Sequence, residues 1–461
     1  MQSCGSATIA KGEQVIFARD FEGHHDQRHY FELSQKIAQL IGLHHVPSRQ
    51  SYCRLDEDGD VEEVVRITHF DDNHLITIKR SEFDLYLEMA RSVAVLLFDS
   101  TRFDPSEFAG WSHAEVDSAE LAEDQIYYRG QTNLGKESYR RGFAVIKPRT
   151  SPGSRRKLPW EADDPKQYAT FITQDWKNDR VCEWPCDPDQ LGNYFTKSDL
   201  PYFTSPTFFR PEVLQKYKTD TDKYRIESRQ IHCRGTWSLT TYDINEAGQV
   251  HTYIGYLGHL PYAEQLYWKS FNQAPKATIS ARAYKTDFMA QFDTSHDPLV
   301  SLKSRLERLA VQQSPWWQLK DEKAIQRAHY PYTDSQDEWA NEIMALDQLV
   351  VEGLNRAHFK AKTESLSVKV DPQWQSIKLI SECLGAQSIN VDEANAIVKP
   401  LQSLHGLRSK MKGHLGGSEA KGIRNEILSA HGNFKTHYRK LVSECDRAIK
   451  SLSEHSEQGI I

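Results

Sequence analysis

The sequence predicts an α+β multidomain protein, with mixed antiparallel sheet and helix in its N-terminal and middle regions and an all-α bundle at its C-terminus. Three observations predict it. Short β-rich runs punctuated by turn residues occupy the first 145 positions. A second, aromatic-rich set of such runs follows to about residue 290. From Pro298 onward the apolar residues recur at helical spacing instead. The composition agrees: 461 residues, 39% hydrophobic and 26% charged, with 20 Tyr, 19 Phe and 10 Trp, bury a sizeable core and exclude a disordered or fibrous chain.

In the N-terminal region, Tyr52-Cys53-Arg54-Leu55 and Val64-Val65-Arg66-Ile67-Thr68 flank Asp58-Gly59, a turn pair that favours a hairpin. Leu75-Ile76-Thr77-Ile78 follows across Asp71-Asp72-Asn73 as the third strand of an antiparallel meander. Phe83, Leu87, Ala90, Ala94 and Leu97 then predict an amphipathic helix over 82–98, and an earlier helix is expected over roughly 27–42. Residues 148–164, with Pro148, Pro152, Gly153 and Pro159 and no periodicity, read as a linker. It closes a basic stretch, Arg140, Arg141, Lys147, Arg149, Arg155, Arg156 and Lys157, that suits either phosphate contact or a solvated loop.

In the middle region, Ser238–Ile244 and Val250–Ile254 read as strands around Asn245-Glu246-Ala247-Gly248, and Pro261 opens a helix from Tyr262. The aromatics here, among them Tyr253 and Trp268, are expected in the core. Leu302, Leu306 and Leu309 mark the next helix. Further helices are expected over Trp339–Leu354, Ile377–Leu384, Asp392–Lys412 and Glu419–Ala430. The last carries the stripe Phe434, Tyr438, Leu441, Cys445, Ala448 and Leu452 after a capping Gly432. The expected organisation is therefore an α+β domain over 1–147, a basic linker over 148–164, an α+β domain over 165–297, a connection over 298–334 and a helical bundle over 335–461.

Net charge is −7, but its distribution is uneven. Residues 1–130 carry 24 acidic against 12 basic side chains, whereas 408–450 carry 10 basic against 4 acidic. A basic end suggests nucleic-acid contact there, with a solvated helical face as the alternative. Seven scattered cysteines fit a reducing, cytoplasmic setting, no secretory leader is visible, and no apolar run reaches the length of a membrane span.

Phosphate-loop, dinucleotide, nucleophile-elbow and His-Glu-x-x-His signatures are absent. Cys182, Cys186, His232 and Cys233 offer only a thin case for zinc, since the knuckle spacing is one residue too long and adjacent strand residues point apart. No metal or cofactor is expected. The sharper pattern is Leu404-His405-Gly406-Leu407-Arg408-Ser409-Lys410-Met411-Lys412-Gly413-His414. An arginine can hold a phosphate bidentately, and a histidine transfers protons near neutrality. The competing reading is a plain helix end, with Arg408, Lys410 and Lys412 complementing the helix dipole and Gly413 terminating it.

This segment resembles the HEPN superfamily, helical-bundle proteins that include RNases of bacterial defence and toxin systems and carry an Arg, four to six residues, then a His. The resemblance covers about 335–455. It implies a metal-independent endoribonuclease with Arg408 and His414 as the catalytic pair, in a homodimer that forms one composite site. His405, Lys410, Lys412 and Lys421 would then contact RNA, and the two preceding regions would act as sensor or specificity modules for an unknown trigger. The alternative from another class is a non-catalytic scaffold whose bundle mediates dimerisation.

Overall fold

The computed structural model describes residues 12–19, 30–70, 73–103, 116–121, 126–132, 137–149, 155, 157, 165–195, 197–292, 296–413 and 418–461. The chain has the α+β architecture, with sheets in the N-terminal and middle regions and helices in the C-terminal part. It divides into two compact units, Met1–Asp56 with Asp60–Lys166, and Glu57–Gly59 with Gln167–Ile461.

In the first unit β1 (Ile16–Arg19) pairs with β2 (Tyr30–Leu33), followed by helix α1 (Gln35–Ile41). Strands β3 (His44–Val46), β4 (Ser51–Leu55), β5 (Val61–Phe70) and β6 (Asn73–Ile78) form an antiparallel sheet in that order, which is the expected meander with one added edge. Gly59 sits in the β4–β5 turn at φ +79°, a left-handed conformation that glycine adopts without steric cost. Helix α2 (Arg80–Met89) buries Phe83 and Leu87 against Leu33, Val64 and Ile67.

Two expectations need correction here. The helix placed over 27–42 is shorter, because Tyr30–Leu33 is drawn into a strand against β1 and the helix begins only after Ser34. The helix placed over 82–98 ends at Met89. Arg91 adopts a left-handed φ of +47°, and the apolar run that follows becomes strand β7 (Ala94–Phe103), in which Leu97 is exposed. Strands β8 (Val116–Leu121), β9 (Ile126–Thr132) and β10 (Glu137–Ile146) complete this sheet in the order β7-β10-β9-β8, with Ala94 opposite Ile146 and Phe103 opposite Glu137. Ten consecutive inter-strand pairs outcompete a helical periodicity carried by only two further residues, Ala94 and Leu97. Most of the 148–164 stretch lies outside the described residues.

The second unit opens with β11 (Thr170–Asp175) and β12 (Arg180–Pro185), joined in one sheet by β13 (Pro206–Phe209), β17 (Asp243–Ile244), β18 (Val250–Tyr253) and β19 (Asn272–Gln273). A smaller sheet holds β14 (Tyr224–Ile226), β15 (Ile231–Cys233) and β16 (Trp237–Leu239). The single strand expected over Ser238–Ile244 is thus split, its first part pairing with β15 and its last with β18. Among the short helices α3 (Gln215–Thr219), α4 (Ile254–Leu257), α5 (Tyr262–Lys269) and α6 (Ala281–Ala283), α5 begins after Pro261 as expected. Trp268 and Tyr253 are buried, in line with a core role for the aromatics.

The helical part comprises α7 (Pro298–Val311), α8 (Ala324–Arg327), α9 (Gln336–Val350), α10 (Arg356–Ser365), α11 (Ser376–Ala386), α12 (Val391–Gly413), α13 (Ser418–His431) and α14 (Phe434–Glu457). The short α8 and the longer α10 had no counterpart in the periodicity. The six stripe residues of α14 are all buried, and Gly432 precedes it at φ +76°. Helices α7, α9, α12 and α14 bury one continuous core that includes Leu302, Ile343, Leu401 and Val442. Helix α9 stops before Gly353, where a side chain would collide with the indole of Trp317, whose Nε1 donates to the Val350 carbonyl at 3.2 Å. Helix α12 contains Pro400, which lacks the N–H that would bond back to the Ala396 carbonyl.

Candidate functional site

Helix α9 presents Trp339, Ile343, Leu346 and Val350 to the core, and Asp347 lies on the same buried side, itself inaccessible to solvent. Helix α12 faces it with Ile397, Leu401 and Leu404. One residue beyond Leu404, His405 and Arg408 project from adjacent turns of α12, three positions apart. Both reach Asp347. Oδ1 lies 3.1 Å from His405 Nδ1, and Oδ2 accepts from Arg408 Nη1 at 2.8 Å. The other Arg408 η-nitrogen is held by Glu352, two residues past the end of α9.

The two side chains differ in access to solvent. Arg408 is 13% exposed and His405 48%. Arg408 therefore has both η-nitrogens on carboxylates, and its Nε is buried without a hydrogen-bond partner. His405 has one nitrogen tied to a carboxylate in a ring that solvent reaches. A carboxylate accepts only, so Nδ1 donates; in the neutral ring Nε2 is left as the basic nitrogen. Burial pushes the Asp347 carboxyl above its ordinary range, outweighing the opposing pull of His405 and Arg408.

Of the residues singled out in the sequence, the structure brings together Arg408 and His405. Lys410 is exposed on α12, with no ion pair among the described residues. His414 lies outside the described residues, as do the side chains of Lys412 and Lys421, although both lysines fall on helices. Asp347 and Glu352 were missed. The available signal was a lone carboxylate, Leu346-Asp347-Gln348-Leu349-Val350, at a position the helical period assigns to the core. The cysteine candidates remain free thiols: Cys186 donates to Gln265 Oε1 at 3.1 Å, and Cys182 is on β12. Among the described residues no group of three or more His, Cys, Asp or Glu side chains is placed to hold a metal. No helix among them is long and apolar enough to cross a membrane.

Comparison of the chain with family models, with curated proteins and with solved structures finds no match in any of the three.

Proposed function

We propose that the C-terminal bundle is a metal-independent endoribonuclease and that His405, oriented by Asp347, is its proton-transfer group. The observation that carries this reading is the Asp347–His405 contact, which engages one ring nitrogen of a half-exposed side chain. Nε2 takes the proton of a ribose 2′-hydroxyl; the O2′–P bond forms, the P–O5′ bond breaks, and a proton returns to the leaving oxygen to leave a cyclic phosphate end. Arg408 supports the developing phosphate charge once it exchanges the partly exposed Glu352 for the substrate. Lys410, with Lys412 and Lys421, adds phosphate contacts, His414 serves as the second acid–base group, and a second copy of the chain completes the site.

The test is cleavage of a generic RNA in EDTA by the wild type and by His405→Ala, Asp347→Asn and Arg408→Ala, with a 2′-deoxy substrate as control. The expected result is ribose-dependent cleavage that falls at least about 100-fold in His405→Ala. Wild-type and His405→Ala rates that coincide, or no cleavage at all, overturn it. A non-catalytic scaffold is the second reading, favoured by the closure of Arg408 between Asp347 and Glu352. It predicts an inactive wild type in which Arg408→Ala lowers stability or dimerisation alone.

A further inference from the structure

A cavity of about 910 Å³ opens within the second unit between the β17–β18 hairpin, helix α7 and the first turns of α14. Its size is in the range of small-molecule sites. What distinguishes it is how its charges are distributed.

Of the acids that line it, Glu227, Asp243, Glu246, Asp297 and Glu307, Asp243 and Asp297 are held in hydrogen-bond networks and already have partners. Asp243 accepts Arg282 at both oxygens, Nη2 to Oδ1 at 2.6 Å and Nε to Oδ2 at 2.9 Å, and the Ser280 hydroxyl at 2.8 Å. Asp297 caps α7, taking the Leu299 and Val300 amides at 2.9 and 3.1 Å, and it also accepts the Tyr330 hydroxyl at 2.9 Å. Three cations that line the same cavity have no such partners among the described residues. Lys303 of α7 and Lys435 and Arg439 of α14 line the cavity, and none of the three is within ion-pair distance of a carboxylate among the described residues. Lys435 and Arg439 stand four residues apart on one face of α14. Arg439 lies over the Tyr330 ring, 5.0 Å from its centroid, which fixes the guanidinium without neutralising it.

Burying a cation without a partner is costly, and here the cost is visible. Burial pushes the Lys303 ammonium down to about 8, against the opposing field of Glu342, Glu307 and Asp297, and it pushes Lys435 down as well. Glu342 does not relieve Lys303, because it is engaged by Lys218 at 2.8 Å and by the His329 amide at 2.9 Å. Three cations lining one cavity match a compact dianion, and the apolar part of the lining, with Ile226 and Ile244, leaves room for a group attached to it.

We propose that this cavity binds a phosphomonoester of nucleotide size, with its phosphate on Lys303, Lys435 and Arg439. The site stands apart from the ribonuclease reading and uses none of its residues. The test is titration calorimetry and thermal shift on the full chain with AMP, ribose 5-phosphate, adenosine and inorganic phosphate. AMP is expected to bind more tightly than ribose 5-phosphate, and adenosine at least tenfold more weakly than AMP. Lys303→Met and Arg439→Gln should each weaken AMP at least tenfold while the far-ultraviolet dichroism stays native; if one of them unfolds, the other decides. At pH 8 the binding should take up protons, seen as a heat that varies with buffer ionisation enthalpy, because phosphate restores the charge on Lys303. Adenosine binding as well as AMP, no binding by any phosphate-bearing probe, binding of inorganic phosphate alone, or unchanged AMP affinity in both variants would overturn the proposal. Repeating the titration with His405→Ala separates it from ribonuclease activity, since AMP affinity should be unchanged.

Discussion

Two buried aspartates in the second unit are held by arginine and yet behave oppositely. Asp243 is bracketed by Arg282, with Ser280 and the Ile244 amide adding hydrogen bonds. Burial alone would raise its carboxyl, but these donors hold it below the ordinary range. Asp347 gives one oxygen to Arg408 and the other to His405, shares Arg408 with Glu352, and is raised. The same residue type thus yields a saturated structural anchor in one place and an incompletely compensated carboxylate bearing a solvent-reachable imidazole in the other. Donor count against burial decides the sign.

The comparison can be broken most decisively at the anchor. Asp243→Asn leaves Arg282 without its carboxylate, while Arg229 keeps Asp287, and should cost about 2–3 kcal/mol in denaturant unfolding. A loss near zero would remove the distinction between the two sites. Next in size is the effect of pH on His251, which accepts the Ser280 amide through Nε2 at 3.0 Å and whose pKa burial lowers to about 4. A histidine depressed in the folded state contributes stability above its unfolded pKa near 6.5 and loses it as pH falls toward 4. Acidification from pH 7 to 5 should therefore cost about 2 kcal/mol through this residue, and His251→Gln should flatten that part of the profile.

Asp347→Asn comes third. Its raised carboxyl means that stability falls as pH rises from the unfolded value to the folded one, so neutralising it should change stability by no more than about 1 kcal/mol, while Arg408 keeps Glu352. RNA cleavage should fall nonetheless; a large stability loss would place Asp347 in the same class as Asp243. The smallest effect belongs to Lys410→Ala, expected to leave stability within about 0.5 kcal/mol and to lower the salt slope of RNA binding by roughly 0.7–0.9.

The helical part was legible because it depends on local spacing: Leu302, Leu306 and Leu309, and the stripe from Phe434 to Leu452, are buried as the period requires. The strands went wrong where pairing is non-local. Ala94 and Leu97 continue the helical period of Phe83 and Leu87, but β10, more than forty residues later, recruits them into a sheet. The split between β16 and β17 has the same origin, because two different partner strands claim adjacent residues. At the candidate site, Arg408 and His405 were legible from their own helix, whereas Asp347 became meaningful only when α9 packed against α12. The cavity was illegible altogether. Lys303, Lys435 and Arg439 are ordinary surface residues in one dimension, and only the packing of α7 and α14 brings them to one cavity without an ion-pair partner among the described residues.

Pro400 gives α12 a mechanical property. Its hydrogen-bond ladder lacks one bond at Ala396, and His405 and Arg408 both lie on the C-terminal side of that step. Beyond it, Leu401 and Leu404 are buried in the core shared with α9 and α14, which anchors the turns that carry His405 and Arg408. The weakened step thus sets the nine residues before Pro400 apart from the fourteen that hold His405 and Arg408 against Asp347.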